Sequence, residues 1–133
     1  MPELIKRGRE LELDIESLAY GGMGIARKDN FVIFVKGGIP GQTVLARIYK
    51  KRKGHAEARA QEIIKESPNS VIAPCKHFGT CGGCKIQNLS YQEQLNEKED
   101  QVKDAFQRLA GFDDFNLDQS IPAEPIFGYR NKI

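Results

Sequence analysis

The residues best suited to chemistry are three cysteines, Cys75, Cys81 and Cys84, the only ones in the chain. They fall in a single run, Cys-Lys-His-Phe-Gly-Thr-Cys-Gly-Gly-Cys. Two residues between Cys81 and Cys84 let both thiolates point into one tight turn, where a metal binds each at about 2.3 Å. Gly79, Gly82 and Gly83 suit such a turn, because without a Cβ they bring backbone N–H groups close to the sulfurs. Three structural cysteines would be scattered over core positions rather than gathered in a glycine-rich loop. A disulfide framework calls for an oxidising compartment and an even count, and a redox pair for the start of a helix in a βαβ unit. Neither is indicated, so a bound metal is the expected use. His77 stands too close to Cys75 to complete a tetrahedral zinc site comfortably. Three clustered cysteines with a fourth ligand from elsewhere is an iron–sulfur habit. Iron–sulfur is preferred and zinc stays open.

The elements that position these residues follow from hydrophobic periodicity. From Arg9 to Ile64 the pattern has period two, the mark of strands. Leu11, Leu13 and Ile15 alternate with Glu12, Asp14 and Glu16. Gly21-Gly22-Met23-Gly24 supplies a turn. Residues 23–27 and 31–35 read as a pair joined by Lys28-Asp29-Asn30. Gly37-Gly38-Ile39-Pro40-Gly41 is a second loop, and strands over residues 43–50 and 55–64 complete the set. The fold class is mainly β. Five short strands suit a small closed barrel, because closure removes unpaired edges; an OB-like barrel is preferred and an SH3-like barrel is the alternative. Ser67-Pro68-Asn69-Ser70 marks a linker. Ser90, with Glu93 three residues on, forms a capping box that opens a helix. Leu95, Val102, Phe106 and Leu109 make its packing stripe and Gly111 ends it. The expected organisation is a barrel over residues 1–67, a cysteine loop over 68–89, and a helix with the start of a further region over 90–133.

Formal net charge is only +2, but its distribution is uneven. Residues 1–70 hold 13 Lys/Arg against 9 Asp/Glu, and residues 71–133 hold 7 against 9. Basic charge therefore gathers in the barrel, the direction expected of a polyanion-binding half. The strand at residues 43–51 puts Arg47, Tyr49 and Lys51 on the face opposite Val44, Ala46 and Ile48. Lys50, Lys51, Arg52 and Lys53 make a concentrated positive turn, which Arg59 extends. A cation beside an aromatic ring equips a surface for single-stranded RNA, the charge following phosphates and the ring stacking on a base. A solvated hairpin tip with Tyr49 partly packed is the bland alternative. Tyr20 reads as a barrel-end packing residue or a stacking surface, and His55 as a strand residue rather than a ligand. The longest apolar run, Phe31 to Val35, is far too short to cross a bilayer, and no secretory signal precedes it, so a soluble cytoplasmic location is expected.

The order of these features resembles the N-terminal part of bacterial RNA uracil-C5 methyltransferases that contain a TRAM domain. The resemblance rests on Ser17-Leu18-Ala19-Tyr20-Gly21-Gly22-Met23-Gly24-Ile25-Ala26 with Gly38-Ile39-Pro40-Gly41, on the cysteine run, on Tyr91-Gln92-x-Gln94-Leu95 with Lys98, and on Tyr129-Arg130-Asn131-Lys132. It implies that the barrel is a TRAM domain, an OB-like RNA-binding module, and it favours RNA contact over the solvated tip. It also implies a [4Fe–4S] cluster on Cys75, Cys81 and Cys84, with a fourth cysteine further along the parent protein. The implied reaction moves a methyl group from S-adenosylmethionine to C5 of a uridine, in 23S ribosomal RNA ahead of transfer RNA. The nucleophile, the base and the cofactor domain are then expected beyond Ile133, and none of the three cysteines takes the nucleophile's part. The chain reads as a fragment, inactive alone and prone to self-association. Its rival is a free-standing RNA-binding module with structural zinc.

Overall fold

The computed structural model describes residues 5–131. Their strands are β1 (Glu10–Asp14), β2 (Ser17–Leu18), β3 (Gly24–Lys28), β4 (Phe31–Lys36), β5 (Thr43–Lys51) and β6 (His55–Lys65), followed by one α-helix, α1 (Tyr91–Asp104). The strands form a single sheet in the order β1-β5-β6-β4-β3-β2. Its two outermost strands are neighbours in sequence, separated only by Ile15 and Glu16. At that corner the Ile15 N–H donates to Gln42 O at 2.9 Å, on the β5 side. The Glu16 N–H donates to Ile25 O at 2.8 Å, on the β3 side. β1 and β2 are thus two halves of one bent strand, and the sheet closes on itself. Counted that way the barrel has the five strands expected from sequence. A parallel pairing of β4 with β6, Val32 opposite His55 through Lys36 opposite Arg59, completes the OB-like closure.

Alternation makes the core. β1 reads exposed, buried, exposed, buried, exposed, which puts Leu11 and Leu13 inside. Val44, Ala46 and Ile48 of β5 join them with Ile33, Val35 and the fully buried Ala26, Ala56 and Ala58. Small alanines at the centre suit a barrel whose walls stand close together. Three register shifts along β5 and β6 bend these long strands around it, the usual effect of bulges. Asp29 and Asn30 both have positive φ, 52° and 65°, which is the two-residue type I′ turn that matches strand twist. At the barrel's end Gly24 and Gly38 meet Ile15. A Cβ on Gly24 would lie 2.7 Å from Gly38 O and 2.8 Å from Ile15 Cγ2, so the glycines serve close approach rather than flexibility.

The expected linker at residues 67–70 is instead a packed turn. Ser67 is buried, its Oγ accepts from the Asn69 N–H at 3.1 Å, and Ser70 pairs with Leu89 across an isolated bridge. Val71 N–H to Asn88 O and Ser90 N–H to Asn69 O pin the same neck. The cysteine segment is therefore a loop closed at its base, with Leu89 packed against Leu18 and Ile39 of the barrel.

Ser90 caps α1 as expected, its Oγ accepting from the Glu93 N–H at 3.4 Å. The capping box is only half made, since the Glu93 carboxylate accepts from Asn96. The helix ends in a π-helical turn, Ala105–Leu109, and at Gly111, whose φ is +76°. The expected packing stripe needs correction. Leu95 is half-buried, but Val102, Phe106 and Leu109 are exposed, Leu109 by 76%, and the buried residue of α1 is Glu97. The barrel has already closed over its own core, and the helix stands off its outer face rather than pressing the stripe against it. Residues 129–131 are exposed coil, and Lys132 lies outside the described residues.

Candidate nucleic-acid interface and cysteine loop

The β5–β6 hairpin carries the residues singled out for RNA. Arg47, Tyr49 and Lys51 do face away from the core. Arg52 closes the hairpin through its N–H to His55 O at 2.8 Å, which leaves Arg52, Lys53 and Gly54 exposed at the tip. Lys51 Nζ sits 6.0 Å from the Phe31 ring centroid, within cation–π range. Tyr49 is partly engaged: its hydroxyl donates to Glu57 Oε1 at 3.3 Å. Burial first, and the Glu57 carboxylate second, push the Tyr49 phenol above its ordinary pKa of 10.0. Lys50 approaches the same carboxylate at 3.6 Å, so Glu57 offsets part of the hairpin's charge.

Strand pairing adds what the sequence did not reveal. Arg47 and Arg59 are Cα partners across β5 and β6, Lys36 is the partner of Arg59 on β4, and Glu10 the partner of Arg47 on β1. Three cations therefore stand in a row across adjacent strands, with one carboxylate at its end. Like charges directly opposite one another destabilise a sheet, and a bound polyanion relieves that repulsion. Lys36 escaped the sequence reading because its neighbour in this row is 23 positions away along the chain, Arg59. Residues 6–9, Lys-Arg-Gly-Arg, also run alongside β5, the Gly8 N–H donating to Ile48 O and the Ile48 N–H to Arg9 O. Arg47 Nε reaches Gly8 O at 3.4 Å.

The cysteine loop is folded on local bonds. Cys75 N–H donates to Gln87 Oε1 at 3.2 Å, and Phe78 N–H to Cys75 O and Cys81 N–H to His77 O make successive turns. The Gly83 N–H points at Cys81 Sγ, 3.4 Å away, the amide-to-sulfur contact expected of the Cys-Gly-Gly-Cys turn. All three thiols are exposed. Among the described residues no three His, Cys, Asp or Glu side chains are gathered for a metal ion. The donor set thus fits a cluster in its chemistry, three reachable thiols on one loop with an amide at one sulfur. The loop in this conformation does not hold the sulfurs as a ligand set, and His77 is equally exposed.

What the sequence reading missed is the joint between helix and barrel. The Leu18 N–H donates to Glu97 Oε1 at 2.7 Å, and Gln101 Nε2 donates to Leu18 O at 3.3 Å. Glu97 and Gln101, four apart on one helix face, together satisfy the outer edge of β2. Gln94 on the same helix donates to Ile86 O and Leu89 O at the neck of the cysteine loop. Burial raises the Glu97 carboxyl above its ordinary pKa, the Leu18 N–H opposing and the Asp100 and Glu93 charges reinforcing. The available signal was a Glu and a Gln at helical spacing within an otherwise charged helix, which alone names no partner. Tyr20 is 95% exposed, which removes the barrel-end packing role, and His55 is a strand residue whose ring meets Phe34 edge-on at 5.6 Å.

No helix among the described residues is long and apolar enough to cross a membrane. Known proteins agree with the barrel. Residues 5–60 match the TRAM domain family. Over 97% of its length the chain is 40% identical to an uncharacterised RNA methyltransferase of Clostridium tetani, covering 28% of that protein. Over 96% it is 34% identical to one of Aquifex aeolicus, covering 30%, and 39% identical to one of Caldanaerobacter subterraneus, covering 28%. The chain spans a little over a quarter of the length of these curated relatives. The residues that match the TRAM domain family are those of the closed barrel itself.

Proposed function

We propose that this chain is the RNA-recognition portion of an S-adenosylmethionine-dependent RNA uracil-C5 methyltransferase, acting on 23S ribosomal RNA ahead of transfer RNA. The observation that carries the reading is the likeness along 97% of the chain to a protein called an RNA methyltransferase, joined to a barrel with cations aligned across its strands. The barrel's part is binding: Lys36, Arg47 and Arg59 together with the Lys50–Lys53 turn follow the phosphates, while rings beside them receive bases. On this reading the methyl-donor site and the reacting cysteine would lie outside these residues. Cys75, Cys81 and Cys84 would hold a [4Fe–4S] cluster with one further ligand from outside these residues, and such a cluster would order the loop between RNA-binding and catalytic parts. The loop's exposed thiols and the Gly83 N–H at Cys81 support that assignment.

Two measurements test this. Fluorescence anisotropy with a short uridine-rich RNA at low salt should show binding that weakens steeply as salt rises. Converting Lys50, Lys51, Arg52 and Lys53 together to alanine should flatten the dependence of log K on log salt, by about 0.7 for each phosphate that is no longer neutralised. Unchanged affinity at low salt rejects the RNA reading. For the loop, anaerobic incubation with iron and sulfide should give brown protein with acid-labile sulfide. Colourless protein with one equivalent of zinc would instead favour a self-contained RNA-binding module with a structural zinc site.

A further inference from the structure

The helix does not lie flush on the barrel. Between α1 and the outer face of the β3–β4 hairpin runs a cleft of about 630 Å³, within the range of small-ligand sites. Its barrel wall holds the half-buried Ile25, Val32 and Phe34, with His55 set edge-on to Phe34. Tyr20 stands at the mouth, almost fully exposed. The facing wall belongs to α1 and the turn after it, where Glu97, Asp100 and Asp104 stand beside Arg108 and the apolar Ala105 and Leu109. Asp104 there is held by Arg108 at 2.9 Å, whereas the exposed Asp100 carboxylate has no partner among the described residues. Gly54 also lines the cleft, so it opens directly beside the basic turn at Lys50–Lys53.

An aromatic wall opposite a free carboxylate selects a narrow kind of ligand. The cleft's arginines, Arg27 and Arg108, are already held by Glu16 and Asp104, so a phosphate would meet the Asp100 charge, and an aliphatic group would leave that carboxylate unused. A flat ring that lies against Phe34 or Tyr20 and donates N–H to a carboxylate satisfies both walls. Cytosine and adenine offer an exocyclic amino group, and guanine two adjacent donors. Uracil offers one N–H flanked by two carbonyl oxygens, which the carboxylate repels. The geometry points to a nucleobase slot in which an unstacked, amino-bearing base is held, with its phosphates on the adjoining basic turn. That base is a neighbour of the modified uridine, not the uridine itself. The slot rests on the reading that this chain binds RNA, and it adds a base preference which that reading does not contain.

The test uses the whole chain with labelled octamers of cytidine or uridine at low salt. The slot predicts about fivefold tighter binding of the cytidine octamer, and Asp100→Asn should bring the ratio close to one. Tyr20→Ala should weaken both octamers by several-fold. Asp100 and Tyr20 are both exposed, so neither change threatens the fold. Equal affinity for the two octamers, or a preference that survives Asp100→Asn, overturns the slot and leaves RNA binding standing. Absence of any RNA binding at low salt overturns both. Cytidine monophosphate followed by NMR gives a second readout: shifts at Tyr20, Phe34 and His55 support the slot, and shifts confined to Lys50–Lys53 refute it.

Discussion

Glu97→Ala removes the acceptor that holds α1 to β2. The Leu18 N–H would then lie in a residue only 4% exposed, with its 2.7 Å partner gone. Leaving a buried donor unsatisfied costs about 1–3 kcal/mol, so exchange of the Leu18 amide hydrogen should quicken by about 5- to 150-fold. Glu97→Gln separates charge from geometry, because the amide oxygen still accepts while nothing titrates. Since burial raises the Glu97 pKa in the folded protein, the folded state binds this proton more tightly than the unfolded chain does. Its contribution to stability is therefore complete below the ordinary value of 4.5 and is lost as pH rises through the raised one. Wild type should lose stability relative to Glu97→Gln between mildly acidic and neutral pH. At neutrality the glutamine variant should be at least as stable. Urea unfolding across that window measures the difference, and hydrogen exchange reads the Leu18 amide. A gap that stays constant with pH, or grows in favour of wild type, refutes the buried-carboxylate argument. Unchanged Leu18 exchange in Glu97→Ala refutes the joint itself.

Arg59→Glu should move two properties in opposite directions. Placing a carboxylate between Arg47 and Lys36 should stabilise the barrel by about 0.2–1 kcal/mol in thermal unfolding, while RNA affinity falls in anisotropy at low salt. Gly24→Ala forces a Cβ to 2.7 Å from Gly38 O and should cost about 1–3 kcal/mol in urea unfolding. Gly8→Ala meets no atom within 4 Å but sits at φ +87°, so its cost should come from backbone strain alone, of order 1 kcal/mol. The exposed Leu109, Phe112, Phe127 and Tyr129 should make the isolated chain self-associate with concentration in sedimentation velocity, and Leu109→Lys with Phe112→Lys should suppress it.

The barrel was legible because its signals are local. Alternation of Leu11 and Leu13 with Glu10 and Glu12, or of Val44, Ala46 and Ile48 with Leu45, Arg47 and Tyr49, is fixed by the two-residue repeat of a strand and needs no knowledge of partners. The Asp29–Asn30 turn was legible for the same reason. Closure was expected but its means was not: nothing at Ile15-Glu16 announces that one strand bends to pair with β5 on one side and β3 on the other. The basic row was invisible too, since Lys36, Arg59 and Arg47 become neighbours only when β4 and β5 flank β6. The helix shows the opposite failure. Its apolar stripe was plain in the sequence, yet α1 docks through Glu97 and Gln101, because the available surface of β2 is a strand edge that wants hydrogen bonds.

Leu18 is where these parts meet. Its side chain packs with Ile39 and with Leu89 at the neck of the cysteine loop, and its backbone is clamped by Glu97 and Gln101. Next to it, Gly22 at φ +94° comes so close to Lys85 that a Cβ would lie 2.6 Å from Lys85 Cβ, fixing the loop's descending limb. Gln94 holds Ile86 O and Leu89 O from the helix side. The base of the cysteine loop is thus placed against the barrel by residues that include no cysteine, while the thiols at its far end stay exposed and ungathered. A positioned base with an unassembled tip is what a loop needs if a bound group is to complete it: binding would then have to order only the segment that carries the ligands.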